Sequence, residues 1–162
     1  LSSILAWKPM VALAEQVVTH LSRDHNWLFF FIGLENDRDY VQQVIDLTAC
    51  QKHCYNIAGV LTVPELAAFL KRCEMLISAD SGPAHLAASL DVHLIGLYGP
   101  ESPYFYGPVN GNATTVYRGV ACSPCMNVYT AKSYRCPNHA LCMREIHTDE
   151  VLHIVEEVLM KT

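Results

Sequence analysis

The sequence lacks both a concentration of positive charge and a long apolar run. Its 11 Lys and Arg residues are scattered, and with 16 Asp and Glu residues the formal net charge over 162 residues is −5. A chain without a basic stripe does not have the electrostatic footprint of a nucleic-acid-binding protein. Although 51% of the residues are hydrophobic, no apolar stretch approaches the ~18 residues of a membrane span. We therefore expect no nucleic-acid partner and one globular domain with a sizeable core.

Other familiar signals are missing as well. No G-x-G-x-x-G motif occurs, so the dinucleotide-binding fingerprint is absent from the sequence. Internal repeats and low-complexity tracts are also absent. The chain starts with Leu1 rather than Met, and no basic region precedes it. We therefore expect no signal peptide, and we expect the chain to be a piece of a longer protein.

Apolar residues recur with helical or strand periods along most of the chain. Helices are predicted at about 9–22, from 37, from 62, from 83 and at about 148–160. Strands are predicted at 27–32, 55–58, 75–79 and 92–98, and an irregular region at about 99–148. Strands that alternate with helices over short connections form parallel βαβ units with helices on both faces. The predicted fold class is α/β, with one Rossmann-like sheet of about five parallel strands, in which the four identified strands are buried.

The most informative segment is residues 77–88, where a short apolar strand stops at Asp80 and a helix begins. Ser81 is a good N-cap residue because its hydroxyl oxygen can accept a backbone N–H of the first helical turn. Pro83 suits that turn, since its fixed φ is helical and its missing N–H is not needed there. The segment therefore predicts an abrupt strand-to-helix turn.

Such a turn can bind an anion. Gly82 lets a ligand approach the backbone closely, and the free amides and positive dipole end of the helix favour negative charge. His85 falls in the first turn, where it can point at the same anion. The alternative interpretation is an ordinary turn in which Asp80 and Ser81 serve only as caps.

Four of the seven cysteines follow the pattern C-x2-C-x10-C-x5-C within a loop at about 119–147. These are Cys122, Cys125, Cys136 and Cys142. Four thiolates at such spacing can form a tetrahedral zinc site, with His139 as a substitute ligand, and we expect the four to lie close together. Free thiols and one or two disulfides are the competing interpretations, since C-x2-C spacing serves metal and redox chemistry alike. The remaining cysteines are predicted to be buried small apolar residues: Cys50, Cys54 and Cys73.

With the segment D-S-G-P-A-H-L-A-A at 80–88, the chain resembles glycosyltransferase family nine, the ADP-heptose:lipopolysaccharide heptosyltransferases and their relatives. The resemblance covers nearly the whole chain. It includes Trp7, Gly33, Asn56–Gly59, Leu66–Ala68, Tyr98–Pro100, Cys122-x2-Cys125 and Cys142-Met143. It implies the second half of a GT-B enzyme, in which two Rossmann-like domains face each other across a cleft. Residues 1–162 would then be the donor-binding domain, and the N-terminal acceptor domain would be absent from this chain.

The resemblance also implies roles for residues of the predicted anion site. Asp80 matches the residue that contacts the donor sugar. Ser81 and Gly82 match positions that hold the diphosphate, and His85 matches a histidine at the phosphate.

Further roles fall on an earlier part of the chain. Leu61, with Thr62 beside it, matches the segment whose backbone contacts the adenine. Asp37 matches an acidic residue that receives the ribose hydroxyls, and Glu35 is a close competitor for that role.

The function implied by the resemblance is inverting transfer of a heptose-like sugar from a nucleotide diphosphate donor, such as ADP-heptose, to a lipopolysaccharide-type glycan. The catalytic base is expected in the absent domain, so no catalytic residue is assigned here, and this chain alone is expected to be inactive. The expected location is the cytoplasm, at the inner face of the cell membrane. The resemblance implies that the transfer needs no cofactor. A structural zinc ion bound by the four cysteines is the one metal that the sequence offers. The alternatives are a non-catalytic nucleotide-sugar-binding module and a cysteine-rich, metal-stapled interaction domain.

Overall fold

A computed structural model describes residues 2–23, 27–109, 111–127, 129 and 135–160. The chain forms two compact units: a larger unit of Leu1–Pro9 and Ala67–Thr162, and a smaller unit of Met10–Leu66. The helices are α1 (Ser2–Leu21), α2 (Arg38–Asp46), α3 (Val63–Leu70), α4 (Gly82–Ser89), α5 (Pro103–Tyr106), α6 (Leu141–Arg144) and α7 (Thr148–Leu159). The strands are β1 (Phe29–Phe31), β2 (Cys54–Asn56), β3 (Met75–Ala79), β4 (His93–Tyr98) and β5 (Ala113–Tyr117).

The larger unit is built on a parallel sheet with the strand order β3-β4-β5. Helix α4 packs on β3 and β4, while α6 and α7 pack on β4. The central strand β4 is buried from Leu94 to Tyr98, which is typical of a parallel strand covered on both faces. The parallel βαβ unit that the sequence predicts is therefore confirmed for β3, α4 and β4.

Small residues let α4 approach this sheet. Ala84 and Ala88 of α4 pack on Leu94 of β4 in one buried cluster. Helix α7 buries Val151 and Val155 completely, in agreement with the apolar period that predicts this helix. The core of the larger unit therefore lies directly beneath the helix that begins after Asp80.

The smaller unit contains a parallel pair, in which Phe30 of β1 lies opposite Tyr55 of β2. Helix α2 packs on β2 and buries Val41 and Ile45 against Ala58. No helix in the described part of the chain is long and apolar enough to span a membrane.

Two expectations about the strands are wrong. The sequence predicts one sheet of about five strands, but the strands of the described residues form a two-stranded and a three-stranded sheet. Alternation of strands and helices predicts βαβ units but does not show which strands share hydrogen bonds. The strands predicted at 27–32 and 55–58 are not fully buried, since Phe30 of β1 is 38% exposed and Tyr55 of β2 is 44% exposed. Their rings stack with centroids 5.1 Å apart. Strand β3 is likewise only half-buried along its length. An apolar run alone does not show how many layers cover a strand.

Strand β5 lies in the region predicted to be irregular. It pairs with β4 at the edge of the larger unit's sheet. Only Val116 of this strand is fully buried, and Thr115 is exposed. A half-covered edge strand has few apolar residues, so its sequence signal is weak.

Candidate functional site

The candidate site is the turn between β3 and α4. Asp80 follows the last residue of β3, and α4 begins two residues later. Ser81 is the N-cap, and its Oγ accepts the N–H of Ala84 at 3.4 Å. This confirms the predicted cap. The turn lies at the carboxyl end of a parallel strand, which is where ligands bind to open α/β sheets.

The surface at Gly82 is open. An ideal Cβ placed on this residue would have no heavy atom within 4 Å. The protein itself therefore gives no steric reason for glycine here. Its N–H is also one of the first helical amides, which have no carbonyl partner within the helix. Both observations agree with a ligand that approaches the backbone.

Asp80 and His85 contact each other across the turn. The His85 Nε2 and Asp80 Oδ1 atoms are 3.0 Å apart. The Asp80 side chain is 14% exposed, whereas that of His85 is 52% exposed. An imidazole that carries a proton on Nε2 donates it to Asp80, and this contact orients the ring at the start of α4.

Glu101 is a member of this cluster that the sequence reasoning missed. It lies three residues after the end of β4, and its side chain is hydrogen-bonded to Asp80. This hydrogen bond, followed by burial and the charge of Asp80, raises the pKa of Glu101 to about 7, while His85 lowers it. The signal in the sequence was an acid just beyond the next strand, since the carboxyl ends of neighbouring parallel strands meet at one edge.

Below about neutral pH the Glu101 carboxyl is protonated, and its O–H donates a hydrogen bond to the Asp80 carboxylate. Burial, and then the charges of Asp80 and Glu101, also raise the pKa of Tyr98 to about 12. The turn therefore combines a carboxyl pair, an imidazole and the Gly82 N–H, which has no carbonyl partner within the helix. Such a set can hold a phosphate group and accept or donate hydrogen bonds to hydroxyl groups.

The raised pKa of Glu101 makes the free energy of unfolding depend on pH. Between the ordinary value of 4.5 and the folded value of about 7, the folded chain binds more protons than the unfolded chain. Stability should therefore fall as pH rises through this window. Glu101→Gln should remove this loss, which we expect to be about 1 kcal/mol after discounting for solvent screening.

Denaturant unfolding at about pH 5 and about pH 8 measures the effect. The wild type should lose stability relative to Glu101→Gln at the higher pH. Glu157→Gln, an exposed change on α7, is the matched control and should leave the pH difference in place. Equal pH profiles for the wild type and Glu101→Gln would contradict a protonated Glu101.

The two carboxylate residues predicted to bind the ribose lie in the smaller unit, on the short turn Glu35–Asp37. The Asp37 Oδ2 accepts the N–H of Leu34 at 2.9 Å. The Glu35 side chain lies against Gly59, whose φ is +72°. Asp37 therefore has a structural contact of its own, and ribose binding by either carboxylate stays a prediction.

The segment at Leu61 and Thr62 also lies in the smaller unit. The N–H and the hydroxyl of Thr62 both donate to Glu65 Oε2, at 2.8 and 2.6 Å. The Thr62 carbonyl accepts the N–H of Leu66. This confirms the helix start predicted at 62. Because capping occupies these groups of Thr62, the backbone of Leu61 is the better candidate for contacting adenine.

The structure thus divides the predicted donor residues between the two units. Asp80, Ser81, Gly82 and His85 share one turn of the larger unit. Asp37, Leu61 and Thr62 belong to the smaller unit.

The four C-terminal cysteines line one small cavity in the larger unit. Their neighbours on its wall are Pro100, Ala140, Leu141 and Met143. All seven cysteines are described, and none is disulfide-bonded. Among the described residues, no three His, Cys, Asp or Glu side chains are already arranged to hold a metal ion. The other three cysteines are half-buried rather than buried.

Comparison with known proteins decides the family. The profile of glycosyltransferase family 9 (heptosyltransferase) matches residues 15–134, which is most of the chain. The chain belongs to glycosyltransferase family 9. The family resemblance stated from the motifs is therefore confirmed.

Curated relatives of this family 9 chain are heptosyltransferases. Lipooligosaccharide heptosyltransferase 2 of Campylobacter jejuni is 26% identical over 147 residues, which cover 89% of the chain and 44% of that protein. Lipopolysaccharide heptosyltransferase 2 of Escherichia coli K12 is 28% identical over 106 residues, which cover 64% of the chain and 29% of that protein. The chain thus spans less than half the length of these relatives.

Solved structures confirm the α/β fold. ADP-heptose lipopolysaccharide heptosyltransferase II of E. coli has a TM-score of 0.72 at 22% identity, and the match covers 94% of this chain and 40% of that one. A family 9 glycosyltransferase of Veillonella parvula has a TM-score of 0.72 at 24% identity, with 96% and 42% covered.

Proposed function

We propose that this chain is the donor-binding half of an inverting glycosyltransferase. It would bind a nucleotide diphosphate sugar of the ADP-heptose kind, and the sugar would go to a lipopolysaccharide-type glycan. The observation that carries the proposal is the turn from Asp80 to His85, where an open glycine, helix amides and an imidazole meet. Family membership supports sugar transfer, and the geometry of the turn supports a diphosphate as the group that is bound.

The chemistry of the proposed reaction requires this kind of turn. As the bond from the anomeric carbon to the diphosphate breaks, negative charge accumulates on the leaving phosphate. Fixed amides near Gly82 and the dipole of α4 stabilise that charge without reorganising. A protonated His85 would offset it further. The step needs no cofactor from this chain.

The carboxyl pair is suited to the sugar. Asp80 and the carbonyl oxygen of the protonated Glu101 can both accept hydrogen bonds from sugar hydroxyls. Both lie beside the proposed phosphate site, because β3 and β4 are neighbours in the parallel sheet. Direct displacement with inversion also needs a base that activates the acceptor, which we assign to a domain outside this chain. No catalytic residue is therefore proposed here.

ADP is the ligand to test first. An E. coli heptosyltransferase has been solved with ADP, and it shares this fold with a TM-score of 0.66 at 17% identity. From the family resemblance we propose that the segment at Leu61 and Thr62, chiefly the Leu61 backbone, contacts the adenine, and that Asp37 or Glu35 binds the ribose. We further propose a cytoplasmic location at the inner face of the cell membrane.

His85→Ala should weaken ADP binding. Loss of a hydrogen bond between the imidazole and the phosphate should cost about 1.5–3 kcal/mol if the ring is charged. That corresponds to roughly 10- to 150-fold in Kd. Calorimetric titration of the chain with ADP measures the change.

His153→Ala is the matched control, since its side chain is 70% exposed on α7 and is assigned no role in binding. Equal ADP affinity for the wild type and His85→Ala would contradict phosphate binding by His85 and favour a turn that serves only to cap α4. If the full-length protein bound ADP-heptose but transferred no sugar to a lipopolysaccharide acceptor, the chain would belong to a nucleotide-sugar-binding module instead.

A further inference from the structure

We propose that Cys122, Cys125, Cys136 and Cys142 bind a structural zinc ion. All four line one cavity, although they are separated by up to 20 positions in the sequence. The other residues on the wall offer no side-chain oxygen or nitrogen: they are Pro100, Ala140, Leu141 and Met143. Thiolates are the ligands of closed tetrahedral zinc sites, and four of them complete such a site.

The first pair of cysteines is held at the end of β4. The N–H groups of Cys125 and Met126 both donate to the Pro100 carbonyl, at 2.8 and 2.9 Å. The hydroxyl of Ser123 donates to the Gly99 carbonyl. The C-x2-C loop is therefore fixed by hydrogen bonds that do not involve the sulfurs, which leaves the thiols themselves for the cavity.

The second pair is positioned by a hydrogen bond to one of its sulfurs and by close packing of the other. The Cys136 Sγ accepts the N–H of Ala140 at 3.2 Å, and such outer hydrogen bonds orient metal ligands in proteins. Cys142 is buried at the start of α6. An ideal Cβ on Gly99 would lie 2.9 Å from its sulfur, so the backbone packs closely against it.

The structure favours four cysteines over a set that includes a histidine. His139 is exposed and does not line the cavity. The sulfurs are not yet arranged around a common centre, but a thiol has only one rotatable bond that places its sulfur. Rotation between staggered χ1 wells can turn all four toward an ion.

Metal analysis of the 162-residue chain, purified without chelator, tests the proposal. We expect about one zinc per chain, as a single four-cysteine site requires. Cobalt added to the metal-depleted protein should give the visible absorption bands of a tetrahedral cobalt–thiolate site. Cys136→Ser and Cys142→Ser should lose the zinc and these bands. Cys73→Ser, a half-buried cysteine outside the cavity, should keep both.

The wild type alone suffices if the variants fail to fold. Seven free thiols, no zinc and no cobalt bands would overturn the proposal in favour of free cysteines. An intact mass lowered by the hydrogens of one or two disulfides, again without zinc, would overturn it in favour of cross-linked cysteines. Neither outcome depends on whether the chain binds ADP.

Discussion

Gly82→Val should weaken ADP binding by roughly 100-fold or more while leaving the fold intact. The added Cβ and its branches would occupy the open space over the start of α4, where the diphosphate has to reach the helix amides. Hydrogen bonds to charged groups contribute about 1.5–3 kcal/mol each, so loss of two should weaken binding by roughly 100-fold or more. The free protein accommodates the new side chain, because no heavy atom lies within 4 Å of that Cβ.

Calorimetric titration with ADP, together with a denaturant unfolding curve for each protein, separates binding from folding. Gly111→Val is the matched control, since a Cβ at Gly111 also has no heavy atom within 4 Å, but this residue lies outside the turn. It should bind ADP as the wild type does. Wild-type affinity in Gly82→Val would show that no phosphate approaches the backbone here.

Leu94→Ala should have the largest effect on stability. Leu94 is 1% exposed and packs against Ala84 and Ala88 of α4. Removing its side chain leaves a cavity between the helix and the sheet, and such changes cost about 2–5 kcal/mol. Because this cavity lies under the helix that carries His85, ADP affinity should fall with stability.

Chemical denaturation followed by circular dichroism measures this loss. Leu34→Ala removes the same atoms from a side chain that is 75% exposed, so it should change the free energy of unfolding by less than about 0.5 kcal/mol. Similar losses in the two variants would show that Leu94 does not support α4.

Local signals made part of the fold predictable. Strand β3 was predicted with the bounds that the structure shows, because a short apolar run ends abruptly at an acid. The start of α4 followed from cap chemistry at Ser81 and Pro83, which depends only on residues within one turn. The same holds for Thr62 and Glu65 at the start of α3.

Features that depend on distant parts of the chain were not predictable in this way. Strand β5 was missed because pairing with β4 stabilises it more than its own apolar content does. Exposure of Phe30 was missed because burial depends on which layers cover a strand. Glu101 was missed because its contact with Asp80 exists only once two strands lie side by side.

In the proposed function, the two carboxyl groups beside the sugar come from different connections of the fold, Asp80 from the turn after β3 and Glu101 from the connection after β4. The proposed phosphate contacts depend on backbone amides and a cap in the β3–α4 turn, whereas Glu101 belongs to the connection after β4. A side chain in that connection can change without altering the amides that hold a diphosphate. If the chain binds its donor as proposed, substitution at position 101 can therefore change the donor sugar while leaving the nucleotide requirement unchanged.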